Sequence, residues 1–207
     1  MHTANLIWVT PDAESLIGKI ARVSNPKNEG NPKVKRLIEY LIEHKHWSPF
    51  EMASMCVEIK TTRAIAPQIL RHRSFSFQEF SQRYAEAVDA DIPQIRRQDK
   101  TNRQNSIDDI DFGVKIDFQE KIDNHFDDAF NLYQDMLAAG VAKECARAVL
   151  PLNTETRMYM SGTIRSWLHY VDLRADDATQ LEHRKIAREI GEILASVCPT
   201  ICHAMWN

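Results

Sequence analysis

The sequence predicts an α+β fold rich in helix, and two observations carry this. Apolar residues recur at helical spacing in several separated stretches, whereas apolar–polar alternation is confined to a few short, non-consecutive ones. Helix dominated by such patterns with scattered strands belongs to the α+β class. The 207 residues contain no internal repeat or low-complexity tract. They are read as one domain, 1–207, long enough to bury a core without staples.

The elements follow in order. "NLIWVT" reads as a strand. Thr10 is placed to cap a helix with Pro11 in its first turn and Asp12 and Glu14 at its positive end. Ala13, Leu16, Ile17, Ile20 and Ala21 form its apolar stripe. "SNPKNEGNP" is a loop, and Val34, Leu37, Ile38, Leu41 and Ile42 mark a second helix. "HKHWSPFE" ends it, because the residue before Pro49 is pushed out of helical geometry. Met55, Val57 and Ile59 alternate with Cys56, Glu58 and Lys60, a strand pattern. A helix is expected over 62–71, kinked or restarted at Pro67. Residues 89–112, polar with few apolar anchors, read as a long surface excursion. Helices are expected over 113–138, 141–149, 160–173 and 178–197, with "LPLNTET" as an interruption.

Composition excludes several functions. The net charge of −3 argues against a nucleic-acid coat protein. No stretch approaches about 20 apolar residues, so no membrane helix is expected, and the N-terminus lacks a signal-peptide pattern. Cys56, Cys145, Cys198 and Cys202 form no CxxC pair and are read as reduced thiols of a cytoplasmic protein. Cys198, Cys202 and His203 would need further ligands to bind a metal, and no metal site is expected. Only six glycines are present, with no GxGxxG, P-loop, GxSxG or HExxH run, so a bound nucleotide would not rest on a glycine turn.

The informative stretch is "RHRSFSFQEFSQRY", residues 71–84. Residues 61–85 carry Arg63, Arg71, Arg73 and Arg83 against Glu79 alone. Arginine forks match phosphate oxygens bidentately, and Ser76 and Ser81 add hydroxyls. Gln68 is expected to share a helix face with Arg71, so that Gln68 or Gln78 could read an amide-like edge. A solvated basic face is the plainer reading, but three interleaved phenylalanines and Tyr84 favour a pocket for planar rings. His72, between two arginines, should resist protonation. Two further constellations are "ECARAVLPLNTETR", with Arg147 and Arg157, and "SGTIRSWLHYVDLRAD", where Arg165 and His169 share a helix face and Arg174 falls at the helix end. On spacing alone Arg174 is equally readable as a C-terminal cap.

"RHRSFSFQEFSQRY" resembles the RHRxxSxxxxSxR-type motif of the flavin-dependent thymidylate synthases. "HWSPFE" at 46–51, "ARAVLPLNTETR" at 146–157 and "GTIRSWLHYVDLRAD" at 162–176 resemble further segments of that family in order and spacing, over roughly 46–182. The resemblance implies a helix-rich α+β fold with a small, mostly antiparallel sheet. It implies methylation of deoxyuridylate (dUMP) to thymidylate, with methylenetetrahydrofolate as carbon donor, FAD as hydride carrier, NADPH as reductant and no cysteine nucleophile. It also implies a homotetramer with shared sites. By similarity, Arg174 activates the uracil. Gln68, Arg71, Glu79, Ser81, Gln82, Arg83 and Arg147 hold dUMP, with Ser81 and Arg83 on the phosphate. Ser48, Arg71, His72, Arg73, Glu79, Thr163, Arg165 and His169 hold FAD. The sequence departs from the family at Thr163, where asparagine is common, and at Ala178, where a histidine is usual. Two rivals remain: a single-stranded nucleic-acid binder using arginines and aromatics, and a nucleotide-binding relative of the same fold that lacks catalysis.

Overall fold

The computed structural model describes residues 1–206. Four strands form an antiparallel sheet in the order β1 (Thr3–Val9), β2 (Ser54–Thr62), β6 (Glu155–Thr163), β3 (Ser76–Glu79). β2 and β6 are in register with Val57 opposite Met160 and Ile59 opposite Met158. These four, with Met55, are fully buried, because alternate residues of a strand share one face. The opposite face is polar: the Tyr159 hydroxyl donates to Glu58 at 3.0 Å. A short pair, β4 (Arg97–Gln98) and β5 (Ser106–Ile107), makes a separate ribbon.

Helices cover the apolar face. α6 (Ile164–Arg174) and α7 (Leu181–Val197) bury Trp167, Leu168, Ile186 and Ile190 in one core. The Trp167 indole N–H donates to the Met55 carbonyl at 3.0 Å, locking α6 onto β2. α1 (Ala13–Ala21), α2 (Lys35–Glu43) and α8 (Pro199–Trp206) extend the same core through Ile17, Ile38 and Ile201. Glu14 ties α1 to α8 by accepting from the Ile201 backbone N–H at 2.8 Å. α3 (Ala66–Ile69) and α5 (Lys143–Ala146) are single turns. The 27-residue α4 (Phe112–Ala138) stands apart, with Tyr133 its one buried residue among those described. Asp111 caps α4, accepting from the N–H groups of Gly113 and Val114.

Several expectations are corrected. Thr10 does not cap α1; its hydroxyl bonds Ser54 on β2, and Asp12, with a positive φ of 49°, occupies the cap position. The helix expected over 62–71 is reduced to α3, since Thr62 still belongs to β2; Pro67 lies in the first turn of α3, where its missing N–H costs nothing. The helix expected over 160–173 starts at Ile164, because residues 155–163 form the central strand β6. α5 covers only part of 141–149, α7 begins at Leu181 rather than 178, and α8 and β3 were not anticipated. The excursion over 89–112 carries the β4–β5 ribbon.

Among the described residues no helix is long and apolar enough to cross a membrane, and no cluster of three or more His, Cys, Asp or Glu side chains could hold a metal ion. All four cysteines are free; burial pushes the Cys198 and Cys202 thiols up to about 12.

Candidate active site

Phe75 anchors the 71–84 stretch. Its ring is buried against Trp167, centroids 4.6 Å apart. It occupies the space over Gly162 of β6, where a Cβ would lie 2.4 Å from Phe75 Cδ1. Phe77 packs against the same core. These phenylalanines therefore fix the strand rather than line a pocket for planar rings, and Tyr84 is 81% exposed.

With Phe75 fixed, His72 lies beneath the end of α6. The Nε of Arg174, the last residue of α6, donates to His72 Nε2 at 2.9 Å. Burial first, and the Arg174 charge second, lower the His72 pKa to about 4, so the ring is a neutral acceptor. The direction matches the sequence expectation, but burial and Arg174 cause it, not the flanking Arg71 and Arg73. The remaining guanidinium nitrogens of Arg174 have no partner among the described residues. A simple C-terminal cap would have bonded helix carbonyls instead.

Arg174 borders a cavity of about 740 Å³, lined also by Gln68, Arg71, Gln104, Ala178 and Gln180. Gln68 and Arg71 meet here although they do not share a helix, since α3 ends at Ile69. A hydrogen-bond chain runs beneath the cavity wall. The Tyr170 hydroxyl is 3.0 Å from His183 Nε2, and His183 Nδ1 is 3.4 Å from Gln68 Oε1. Gln68 Nε2 donates to Gln180 Oε1 at 2.6 Å, and Gln180 Nε2 donates to Glu182 at 2.9 Å. Arg96, from the excursion, pairs with Glu182 at 2.7 Å.

Two other groups lie elsewhere on the chain. At the end of β3, Glu79 accepts from Arg63 at 2.5 Å and from the Thr156 hydroxyl at 2.9 Å. Beyond it, the Ser81 hydroxyl accepts from the Arg83 N–H at 3.4 Å, and Arg83 pairs with Glu144 near α5 at 3.2 Å. Gln82 is buried with its side-chain nitrogen unpartnered, and Arg147 follows α5 with no partner among the described residues. Around the start of α6, Thr163 caps the helix, accepting from the Ser166 N–H at 3.3 Å. Arg165 pairs with Glu51, in the short turn that contains Ser48, and the exposed His169 meets Trp47 edge-on at 4.8 Å. Of the four arginines of 61–85, Arg63 and Arg83 are neutralised by carboxylates; Arg71 and Arg73 are exposed and unpartnered among the described residues.

Residues 5–200 match the family described as thymidylate synthase complementing protein. The chain belongs to that family. It is 52% identical over 192 residues to a flavin-dependent thymidylate synthase of Synechocystis sp., covering 93% of this chain and 89% of that protein. It is 49% identical over 195 residues to a probable flavin-dependent thymidylate synthase of Paramecium bursaria Chlorella virus 1, covering 93% and 90%. A flavin-dependent thymidylate synthase of Thermosipho melanesiensis is 38% identical over 184 residues, covering 87% and 80%.

In this member of the thymidylate synthase complementing family, the sequence-predicted residues thus fall into three groups. Gln68, Arg71 and Arg174 line the cavity, with His72 bonded to Arg174 and the exposed Arg73 next to His72 in the chain; Glu79, Ser81, Gln82, Arg83 and Arg147 gather between β3 and α5; Ser48, Thr163, Arg165 and His169 gather at the start of α6. Sequence reasoning missed Tyr170, Gln180, Glu182 and His183. Their detectable signal was a run of polar residues, "QLEHR" at 180–184, straddling the start of an amphipathic helix.

Proposed function

We propose that this chain is a flavin-dependent thymidylate synthase that methylates dUMP, with methylenetetrahydrofolate as carbon donor and FAD reduced by NADPH. The observation that carries the reading is the Arg174–His72 pair: a guanidinium held at one nitrogen by a neutral imidazole, its other nitrogens turned loose beside a large polar cavity.

For uracil C5 to attack carbon, negative charge must develop on the pyrimidine ring. Arg174 stabilises that charge without surrendering a proton, in a fixed orientation that needs no rearrangement during reaction. His72 keeps the fork in place and, being neutral, adds no competing charge. Arg71 and Gln68 border the same space, and the unpartnered Gln82 nitrogen is a buried donor waiting for an acceptor. Ser81, Arg83 and Arg147 supply donors suited to the nucleotide phosphate, with Arg83 leaving Glu144 to reach it. None of the four cysteines lines the cavity.

The donor set also suits a flavin nucleotide. Arg71 and Arg73 are cations without partners among the described residues, and Arg165 and His169 lie one turn apart on an accessible face of α6. They would hold the phosphates in place of a glycine loop, with Ser48, His72, Glu79 and Thr163 completing the shell. The flavin, when bound, supplies the hydride. The three groups are separated on one chain, and α4 exposes Phe112, Val114 and Phe118. Both features support a homotetramer whose sites are shared; each chain is read as one domain of a cytoplasmic protein.

The test is Arg174→Lys. Lysine retains charge but loses the planar fork. Losing one such electrostatic contact costs on the order of 100- to 1000-fold in rate. Single-turnover thymidylate yield should fall accordingly, while flavin retention, NADPH-driven flavin reduction and melting temperature persist. Near wild-type thymidylate formation would reduce Arg174 to a helix-end residue.

A further inference from the structure

The chain from Tyr170 to Arg96 has a direction, and one group sets it. Glu182 carries 15% and Arg96 11% side-chain exposure, so their ion pair is largely out of water. Burial opposes the Glu182 charge. Hydrogen bonds from its own backbone N–H, from Arg96 and from Gln180 outweigh that and hold the carboxyl below its usual range. A carboxylate only accepts. Gln180 must therefore turn its NH2 to Glu182 and its oxygen to Gln68. Gln68 must then turn its NH2 to Gln180 and its oxygen to His183. His183, fully buried, must donate from Nδ1, which leaves Nε2 to accept from the Tyr170 hydroxyl. The Gln180–Glu182 and Gln68–Gln180 contacts have these donors and acceptors, and the Gln68 oxygen faces His183 Nδ1, which assigns the His183 tautomer and with it the direction of the contact to Tyr170. One hydrogen of the Gln68 amide is then left over, on a residue that lines the cavity.

We propose that Glu182 fixes Gln68 as a hydrogen-bond donor toward the cavity, making Glu182, Gln180 and His183 positioning residues that select a ring carbonyl over a ring amino group. This rests on the reading that the cavity takes a pyrimidine nucleotide. Uracil offers a carbonyl where cytosine offers an amino group. A donor-only amide accepts the first and meets the second donor to donor, leaving polar groups unpaired. Gln180 is free to relay the direction because it occupies the N-cap position of α7 without bonding the helix backbone through its side chain.

The isosteric variant Glu182→Gln reverses the argument. Arg96 demands the new amide's oxygen, so its NH2 faces Gln180. Every link then inverts, and Gln68 offers its oxygen instead. Binding of dUMP and dCMP to the flavin-loaded protein is measured by calorimetry, with melting temperature alongside. Wild type should prefer dUMP. Glu182→Gln should erode that preference by about tenfold or more, the scale of one hydrogen bond made or lost. Gln180→Met, which cuts the relay but spares the ion pair, should erode it too. Arg96→Lys, which loses the guanidinium fork but keeps a cation beside the carboxylate, should lower the melting temperature and keep the preference. An unchanged preference in Glu182→Gln and Gln180→Met overturns the proposal, as does an equal loss in Arg96→Lys. Binding of neither nucleotide by wild type overturns the reading of the cavity itself, a distinct result.

Discussion

His72 and His183 are two imidazoles kept neutral on either side of Tyr170. Burial first and Arg174 second lower His72 to about 4; the same causes, with His72 added, lower His183 to about 3. In the unfolded chain both titrate near 6.5. Below that pH the unfolded state takes up protons that the folded state refuses, so stability is whole above pH 6.5 and falls as pH drops toward about 4. The window from about pH 6.5 to 5 lies above the carboxylate range and isolates the histidines. Melting temperature should decline through it, and His183→Phe, which removes one of three histidines held down by burial (His2 is the third), should shallow the slope. An identical slope in the variant would mean the buried imidazole is not what titrates. Both positions also show why residue identity alone misleads. His72 was legible because of its arginine neighbours, yet those neighbours have little part in its behaviour, which comes from packing and from a residue 102 positions away.

At the scale of elements, β3 and β6 meet where Phe75 covers Gly162. A methyl at 162 would collide with the Phe75 ring, and the ring cannot retreat because Trp167 backs it. Gly162→Ala should therefore destabilise the fold by about 1–3 kcal/mol, the usual cost of overpacking, read by chemical denaturation, and should loosen His72 with it. A neutral effect would show that the 71–84 stretch is not anchored this way. Sequence reasoning recovered the elements with a sustained period, α1, α2, α4, α7 and the alternating β2, together with the short strand β1 and, with a late start, α6. β6 escaped although Thr156, Met158 and Met160 do alternate, because methionine, glutamate and arginine are good helix formers and the strand runs directly into α6 at Thr163. β3 escaped because Phe77, and Phe75 just before the strand, were weighed as ligand-facing aromatics rather than as side chains packed on the core.

For the whole molecule, the family was legible in its motifs, and the antiparallel sheet, helix-rich core and family membership agree with it. The candidate site was legible in part. The motif residues fall where their elements converge, but the partners that orient them, Glu51, Glu144, Gln180, Glu182 and His183, come from distant segments whose meeting depends on tertiary packing. The most direct measurement is product formation by the purified protein given dUMP, NADPH and methylenetetrahydrofolate labelled at the transferred carbon. The expected result is a yellow protein that forms thymidylate carrying the label and consumes NADPH. A colourless protein, or one that binds these ligands and forms no labelled thymidylate, would contradict it.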